Sequence, residues 1–508
     1  MRLRPAPGAV WISAALALAL GMFLVRERQI AGPVGLSGFP LDDPWIHFQF
    51  ARNLAEGHGF AYNPGVPVAG STAPLWTVLL AAAFALFGSH PVLAKAIGIA
   101  AALATALLAR RLASTWTEIP ALGLLAGVVT ALAAPLVWGA LSGMEVGLAA
   151  LLVTAALLAH AAEREWLTAL LLGLAALARP ESILLVPLVW LSRPVTLRRT
   201  IILFALVGAV LAPAVTFNLV TASAPWPATA SAKIEGGLVG LLSGAREPLA
   251  TTLARRPWQF EAEWAETLWR ANVLLPLLLL PGLWILWRRL GRVALPAAAL
   301  LLQPLGMALL APYRGPAFQE GRYAAHLLPM AIAAAVMALI PLAGRPRLGR
   351  VAAAALIIAG LAALPAAALR YAWAVQNIDA MQVHLGHWAA AHTPREARLG
   401  LNDVGAIAYV SRREVVDLMG LVTPAIIPYR RDGEAGVLRY LERACPDYLI
   451  IFPAWFPELS AKPDRFMPIY RLRLEHNTVS GADEMVVYET PWNRWRASAR
   501  PCPERTGG

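Results

Sequence analysis

Two adjacent carboxylates, Asp42 and Asp43, stand before Pro44 in LDDPWIHFQFARNLAEGHGFAYNPG, a polar stretch that follows a long apolar run almost at once. A carboxylate held at a helix start beside a membrane can take the proton of an incoming hydroxyl if its pKa suits. First-turn amides of a helix over 44–56 would favour its charged form, and a plain N-cap with a solvated neighbour is the competing role. Glu145, in LSGMEVGLA, falls between two apolar runs, where a lone carboxylate is costly unless it is paired or faces water. Lys95, Lys233 and Lys462 are the only lysines in an arginine-rich chain. Lys95 and Lys233 could each meet a phosphate, and Arg322 in AFQEGRY, with Glu320 nearby, offers a planar fork for one. For Lys95, snorkelling with no ligand is an equal alternative. His47, His58 and His326 show no metal-ligand spacing, and no P-loop or dinucleotide fingerprint occurs.

The elements that must position these groups are membrane spans. The chain has 508 residues, 58% of them hydrophobic and 15% charged, with a mean hydropathy of +0.58. Those values lie outside the range of an ordinary soluble enzyme. Apolar runs long enough to cross a core of roughly 30 Å are expected at 8–28, 90–109, 119–137, 144–161, 166–178, 181–192, 200–219, 272–287, 293–312, 323–342 and 350–369. The first run lacks a small-residue cleavage site before Arg26-Glu27-Arg28 and reads as an uncleaved span. The net charge of +12 is topological on this reading, since arginines crowd the short loops that stay cytoplasmic, and no nucleic-acid partner is expected. Keeping every cluster on that side requires Ala73–Gly88 to lie along the outer interface as a helix instead of crossing.

About eleven crossings then leave three large segments on the outer face: 29–89, 220–271 and the region from about 373 onward. In that last part ARLGLNDVGAIAYV and REVVDLMGLV read as strands with turns, GVLRYLERACP as a helix and DYLIIFP as a buried strand. The expected architecture is an all-α polytopic membrane bundle over 1–372, a small extracytoplasmic α/β domain over 373–495, and a tail over 496–508. Cys445 and Cys502 could pair outside the cytoplasm, though their spacing alone proves no bridge. Asp403, Asp417 and Trp455 offer sugar contacts, with roles in turns and core weighing more.

Taken in order, DDPWIHFQFARNLAEGHGFAYNPG, GSTAPLW, LSGME, ALARPES, PWPATASAK, FQEGRY and NDVGAIAYVSRREVVDLMGLVTP resemble the membrane-embedded C-type glycosyltransferases (GT-C). The likeness is to bacterial members similar to the mycobacterial terminal arabinofuranosyltransferase. The resemblance implies a GT-C bundle in the bacterial inner membrane that takes a sugar from a polyprenyl-phosphate carrier. The acceptor would be a cell-envelope glycan, lipid or protein on the outer face. It further implies Asp43 as the base with Asp42 assisting, and Glu145 lining the same cavity. Lys95, Lys233 and Arg322 would contact the carrier phosphate, with Glu320 and His58 as further substrate contacts. Some relatives use a divalent metal ion, for which Asp43 and Glu145 are the first candidates. The main alternative from another class is a transporter or flippase of lipid-linked sugars, which would require ionisable groups near the bilayer midplane and a repeated half-structure.

Overall fold

The computed structural model describes residues 7–233, 236–242, 247–310 and 312–493. It is a helical bundle carrying one mixed sheet near its C-terminus. Among the described residues, five helices are long and apolar enough to cross a membrane, or six if the bent pair Pro120–Leu132 and Ala134–Leu141 is one span. The five are Gly8–Ala31, Val92–Thr117, Leu197–Ala222, Leu275–Leu310 and Pro346–His392. Shorter apolar helices complete the bundle, and the chain is an integral membrane protein. Small residues let these helices approach closely: a Cβ on Gly98 would run into the backbone carbonyl of Ala140.

The helix Pro74–Phe87 has 14 residues, about 21 Å of length, well short of the roughly 30 Å needed to cross. It buries Trp76, Thr77, Leu80 and Phe84 and leaves Leu86 and Phe87 exposed. Trp76 Nε1 donates to the Gly143 carbonyl at 3.0 Å, which ties this helix to the loop that carries Glu145.

The last span departs from the expected 350–369. It continues without a break as Pro346–Ile378, a π-helical turn at Asp379–Val383 and a final helix to His392. It thus reaches the sheet directly and delivers Gln382 to it. Strands β1 (Arg398–Leu401), β2 (Glu414–Asp417) and β3 (Tyr448–Ile451) are parallel, in the order β2-β1-β3. The hairpin of β4 (Met467–Arg473) and β5 (Glu484–Glu489) extends the sheet antiparallel from β3. Gly433–Ala444 forms the expected helix between β2 and β3, whereas Ala406–Ser411, expected as part of a strand and turn, is a short helix between β1 and β2. Cys445 follows the second of these, and Cys502 lies outside the described residues.

The sheet is docked on the first polar loop. Ile46 and Phe50, one face of the helix Asp43–Ala55, bury in one core with Leu399, Leu401, Val415 and Val487 of the strands. Asn63 clamps β2 with both amide atoms, donating to the Val415 carbonyl at 2.8 Å and accepting from its N–H at 2.9 Å. Thr229 donates to the carbonyls of Gly70 at 2.6 Å and Leu421 at 3.0 Å. The three segments that charge placement assigned to one side therefore meet.

Asp42 is the central tie. Its carboxylate makes no capping bond on its own helix; it accepts from Gly405 N at 2.6 Å and Ala406 N at 2.7 Å, the start of the helix that follows β1. A Cβ on Gly405 would overlap Asp42, so only glycine admits this approach. Asp42→Ala is expected to cost about 1–2 kcal/mol, the usual loss for a removed cap. Asp42→Asn, which keeps one acceptor, should fall between. Thermal melting in detergent checks both, and an unshifted melting point in Asp42→Ala would show that the tie contributes nothing.

Candidate active site

Asp43 points the other way. Arg322 Nη2 lies 2.7 Å from Asp43 Oδ2, linking the start of the first polar helix to the mouth of a distant pair of apolar helices. Burial raises the Asp43 carboxyl, but Arg322 first and Lys233 second outweigh it and hold the pKa at about 2. Burial and the neighbouring Asp403 push Asp42 upward, against the two amide donors that favour its charge. The adjacent pair therefore divides into one carboxylate bound to a cation and one bound to backbone amides.

Arg322 is 5% exposed. Only Nη2 is engaged, with Asp43 and with Tyr323 Oη at 3.4 Å, while Nε and Nη1 have no hydrogen-bond partner among the described residues. The backbone that presents it is strained: Gln319 and Glu320 are non-glycine residues at φ 49° and 58°, followed by Gly321 at φ 81°. Such conformations cost of order 1 kcal/mol each and gather at functional sites.

Two cavities adjoin this pair. One of about 420 Å³ has Glu145, Arg179 and Glu181 at a polar end and Ile183, Leu184, Met307 and Leu310 along an apolar side. The other, of about 330 Å³, holds Asp42 and Asp43 with Asn402, Asp403 and Trp455 of the sheet region. Lys233, Tyr313, Arg314, Arg322 and Tyr323 line both, so the shared wall carries three cations and no carboxylate. Aromatic rings hold these cations in place: Lys233 lies 5.0 Å from the Tyr313 ring centre and Arg314 5.1 Å from Phe318. Tyr323 lies within 5.0 Å of Arg322 and 4.8 Å of Arg179.

Glu145 does line the first cavity, paired at 2.6 Å with Arg179 Nη1 and 3.9 Å from His47 Nε2. Three other expected contacts lie elsewhere. Lys95 is 1% exposed inside its helix, 3.6 Å from Glu27 and over the Phe39 ring. An ammonium buried in the bundle takes the anion the sequence hides in the first span. Glu320 is held by Arg370 at 2.6 Å and Arg270 at 3.7 Å. His58 lies on the surface beside Glu56. None of the three lines either cavity. Arg179, Arg314, Tyr313 and Tyr323 were not singled out by sequence. Arg179 stands in ALARPES, one of the segments that carry the resemblance, between the expected spans 166–178 and 181–192 and without a role of its own. Arg314 carries no signal beyond its nearness to FQEGRY.

Breaking the Lys95–Glu27 pair should be expensive. Lys95→Met leaves Glu27 buried and unpaired and is expected to cost about 3 kcal/mol, and a Glu27→Gln, Lys95→Met double variant should recover most of it. Denaturation in mixed micelles tests this; equal melting of wild type and Lys95→Met would mean the pair is already neutralised or hydrated.

No group of three or more His, Cys, Asp or Glu able to hold a metal occurs among the described residues. Asp43 and Glu145, the first candidates, each face an arginine. The donor set does not fit a resident divalent ion.

A protein-family model described as "Domain of unknown function (DUF8728)" matches residues 373–496. No curated protein matches the chain. Among solved structures, ArnT from Cupriavidus metallidurans bound to undecaprenyl phosphate aligns with a TM-score of 0.58 at 14% identity, covering 94% of this chain and 97% of that one. The Archaeoglobus fulgidus oligosaccharyltransferase in complex with Zn and sulfate aligns with a TM-score of 0.54 at 13% identity, covering 92% of this chain and 73% of that one. The fold is of the GT-C glycosyltransferase type, as the motif order implied.

Proposed function

We propose that the protein transfers a sugar from a polyprenyl-phosphate carrier to an acceptor on the outer face of the bacterial inner membrane. On this reading the chain crosses about eleven times and its C-terminal α/β region stands outside. The observation that carries the proposal is the Asp43–Arg322 ion pair, set on a cationic wall between one cavity with an apolar side and one that holds the acidic pair in a mixed polar and apolar lining. ArnT, whose fold this chain shares, is described as bound to undecaprenyl phosphate, and a ligand of that class suits both the apolar side and the cations.

The carrier's tail lies along Ile183, Leu184, Met307 and Leu310 and leaves sideways into the bilayer. Its phosphate meets Arg322, Arg314 and Lys233. The acceptor oxygen attacks the anomeric carbon, the bond from that carbon to the phosphate oxygen breaks, and polyprenyl phosphate departs carrying one more negative charge. Asp43 takes the acceptor proton. With a pKa near 2 Asp43 is a weak base while Arg322 is committed to it. A phosphate that gains charge draws the guanidinium toward itself, so Asp43 becomes more basic as the leaving group departs. Phosphate is already a good leaving group, so no strong general acid is needed.

Reconstitution in vesicles with a panel of polyprenyl-phosphate pentoses and hexoses tests the reading. Release of polyprenyl phosphate with product formation supports it. Movement of intact lipid-linked sugar across the bilayer, with no bond cleavage, would replace it with the flippase reading.

A further inference from the structure

In a doubly wound arrangement, ligands bind beyond the carboxyl ends of parallel strands where the strand order reverses. Here that point lies between β1 and β3 in the order β2-β1-β3. The residues just past β1 are Asn402 and Asp403, and those past β3 lead to Trp455; all three line the cavity that contains Asp43. The crevice of the sheet thus opens onto the proposed reaction centre.

Three features make it a built site. Asn402 is 2% exposed, its Oδ1 accepts from Phe452 N at 3.1 Å, and its Nδ2 has no partner among the described residues. Asp403 is oriented by Gln382 Nε2, which donates to its Oδ2 at 2.8 Å from the helix rising out of the bundle. Trp455 is 41% exposed yet fixed: its Nε1 donates to the Gly481 carbonyl at 3.0 Å and its ring lies 5.5 Å from Phe452. A Cβ on Gly481 would come within 2.5 Å of the indole, so glycine makes room for it.

We infer that this crevice is the acceptor subsite and that the acceptor is a sugar, held by Asn402 and Asp403 through its hydroxyls and by Trp455 against its apolar ring face. This rests on the glycosyl-transfer reading and names its acceptor class. A sugar ring presents vicinal hydroxyls that both donate and accept, which matches an unpaired amide donor beside a carboxylate. It also presents a flat patch of C–H groups that packs on an indole. The cavity sets Asp42, Asp43, Gln382, Asn402, Asp403 and Ser480 among Leu41, Ile378, Met419, Leu421 and Val479, a mixture that suits the alternating hydroxyls and C–H faces of a sugar. Burial, with Asp43 and Asp417 nearby, pushes the Asp403 carboxyl up to about 6 against the Gln382 amide that favours its charge, and its charged form accepts from a hydroxyl.

The test is binding, not turnover. Full-length protein in nanodiscs is titrated with methyl glycosides of arabinofuranose, galactofuranose, mannose, galactose and glucose, with saturation transfer from protein to sugar as the readout. At least one glycoside is expected to bind, with affinity at least tenfold weaker in Trp455→Ala, about fivefold weaker in Asn402→Ala, and within threefold of wild type in Trp455→Phe. If Trp455→Ala fails to fold, Asn402→Ala and Trp455→Phe still decide. No binding by any glycoside, or binding that survives Trp455→Ala and Asn402→Ala alike, overturns the subsite. The transfer reading itself stands or falls on carrier cleavage, which needs none of these probes.

Discussion

Asp43→Asn is expected to slow sugar transfer by about 10³-fold, roughly 4 kcal/mol at about 1.4 kcal/mol per tenfold. The substitution keeps shape and size and removes the proton acceptor. The apparent KM for the lipid-linked donor should move by less than the rate, because the carrier phosphate is held by Arg322, Arg314 and Lys233, not by the carboxylate. Single-turnover measurement with a labelled polyprenyl-phosphate sugar separates the two. A variant that retains its rate within tenfold would take Asp43 out of the mechanism and leave the pair as a structural link.

The second large effect belongs to Arg322. Arg322→Ala should lower kcat/KM for the donor by about 10³-fold, as expected when a cation that meets developing phosphate charge is removed. Arg322→Lys should recover only part of it, since a point charge replaces a fork. Removing the cation also releases Asp43, whose pKa then climbs from about 2. The sign follows: Asp43 works as a carboxylate, so the residual activity is lost at a higher pH on acidification than in wild type. The double variant with Asp43→Asn should be less impaired than the product of the two singles, because the residues act as one unit. Fully multiplicative losses would mean that they act independently, and the coupling of leaving-group departure to proton uptake would have to be abandoned.

Much of this architecture was readable from composition and order. Apolar length marked the long helices, and the placement of the arginine clusters set Ala73–Gly88 apart as a segment expected not to cross. The alternation of strand and helix text past residue 398 anticipated β1, β2 and β3. The acidic pair, Glu145, Lys233 and Arg322 were recognisable as residues whose types suit phosphate and proton chemistry, and all line the two cavities. Lys95 shows where such reading stops. Its position near a helix end allowed a phosphate contact, but its partner, Glu27, lies 68 residues earlier in the chain, and nothing local records that pairing. The same holds for Arg179, which looks like a helix break in one dimension and is the counter-ion of Glu145 in three.

By itself, then, the chain's residue order determined what is apolar enough to enter a bilayer, which short segments fold locally, and which side chains own chemistry worth placing. Those properties depend on neighbours a few positions away. Only tertiary packing decided that Asp42 serves a helix more than 360 positions downstream, that Asp43 and Arg322 share a charge, and that the sheet's crevice opens on them. Charge pairing and burial act through space at a few ångströms, and the loops that bring those groups together are long enough for sequence distance to carry no information about it.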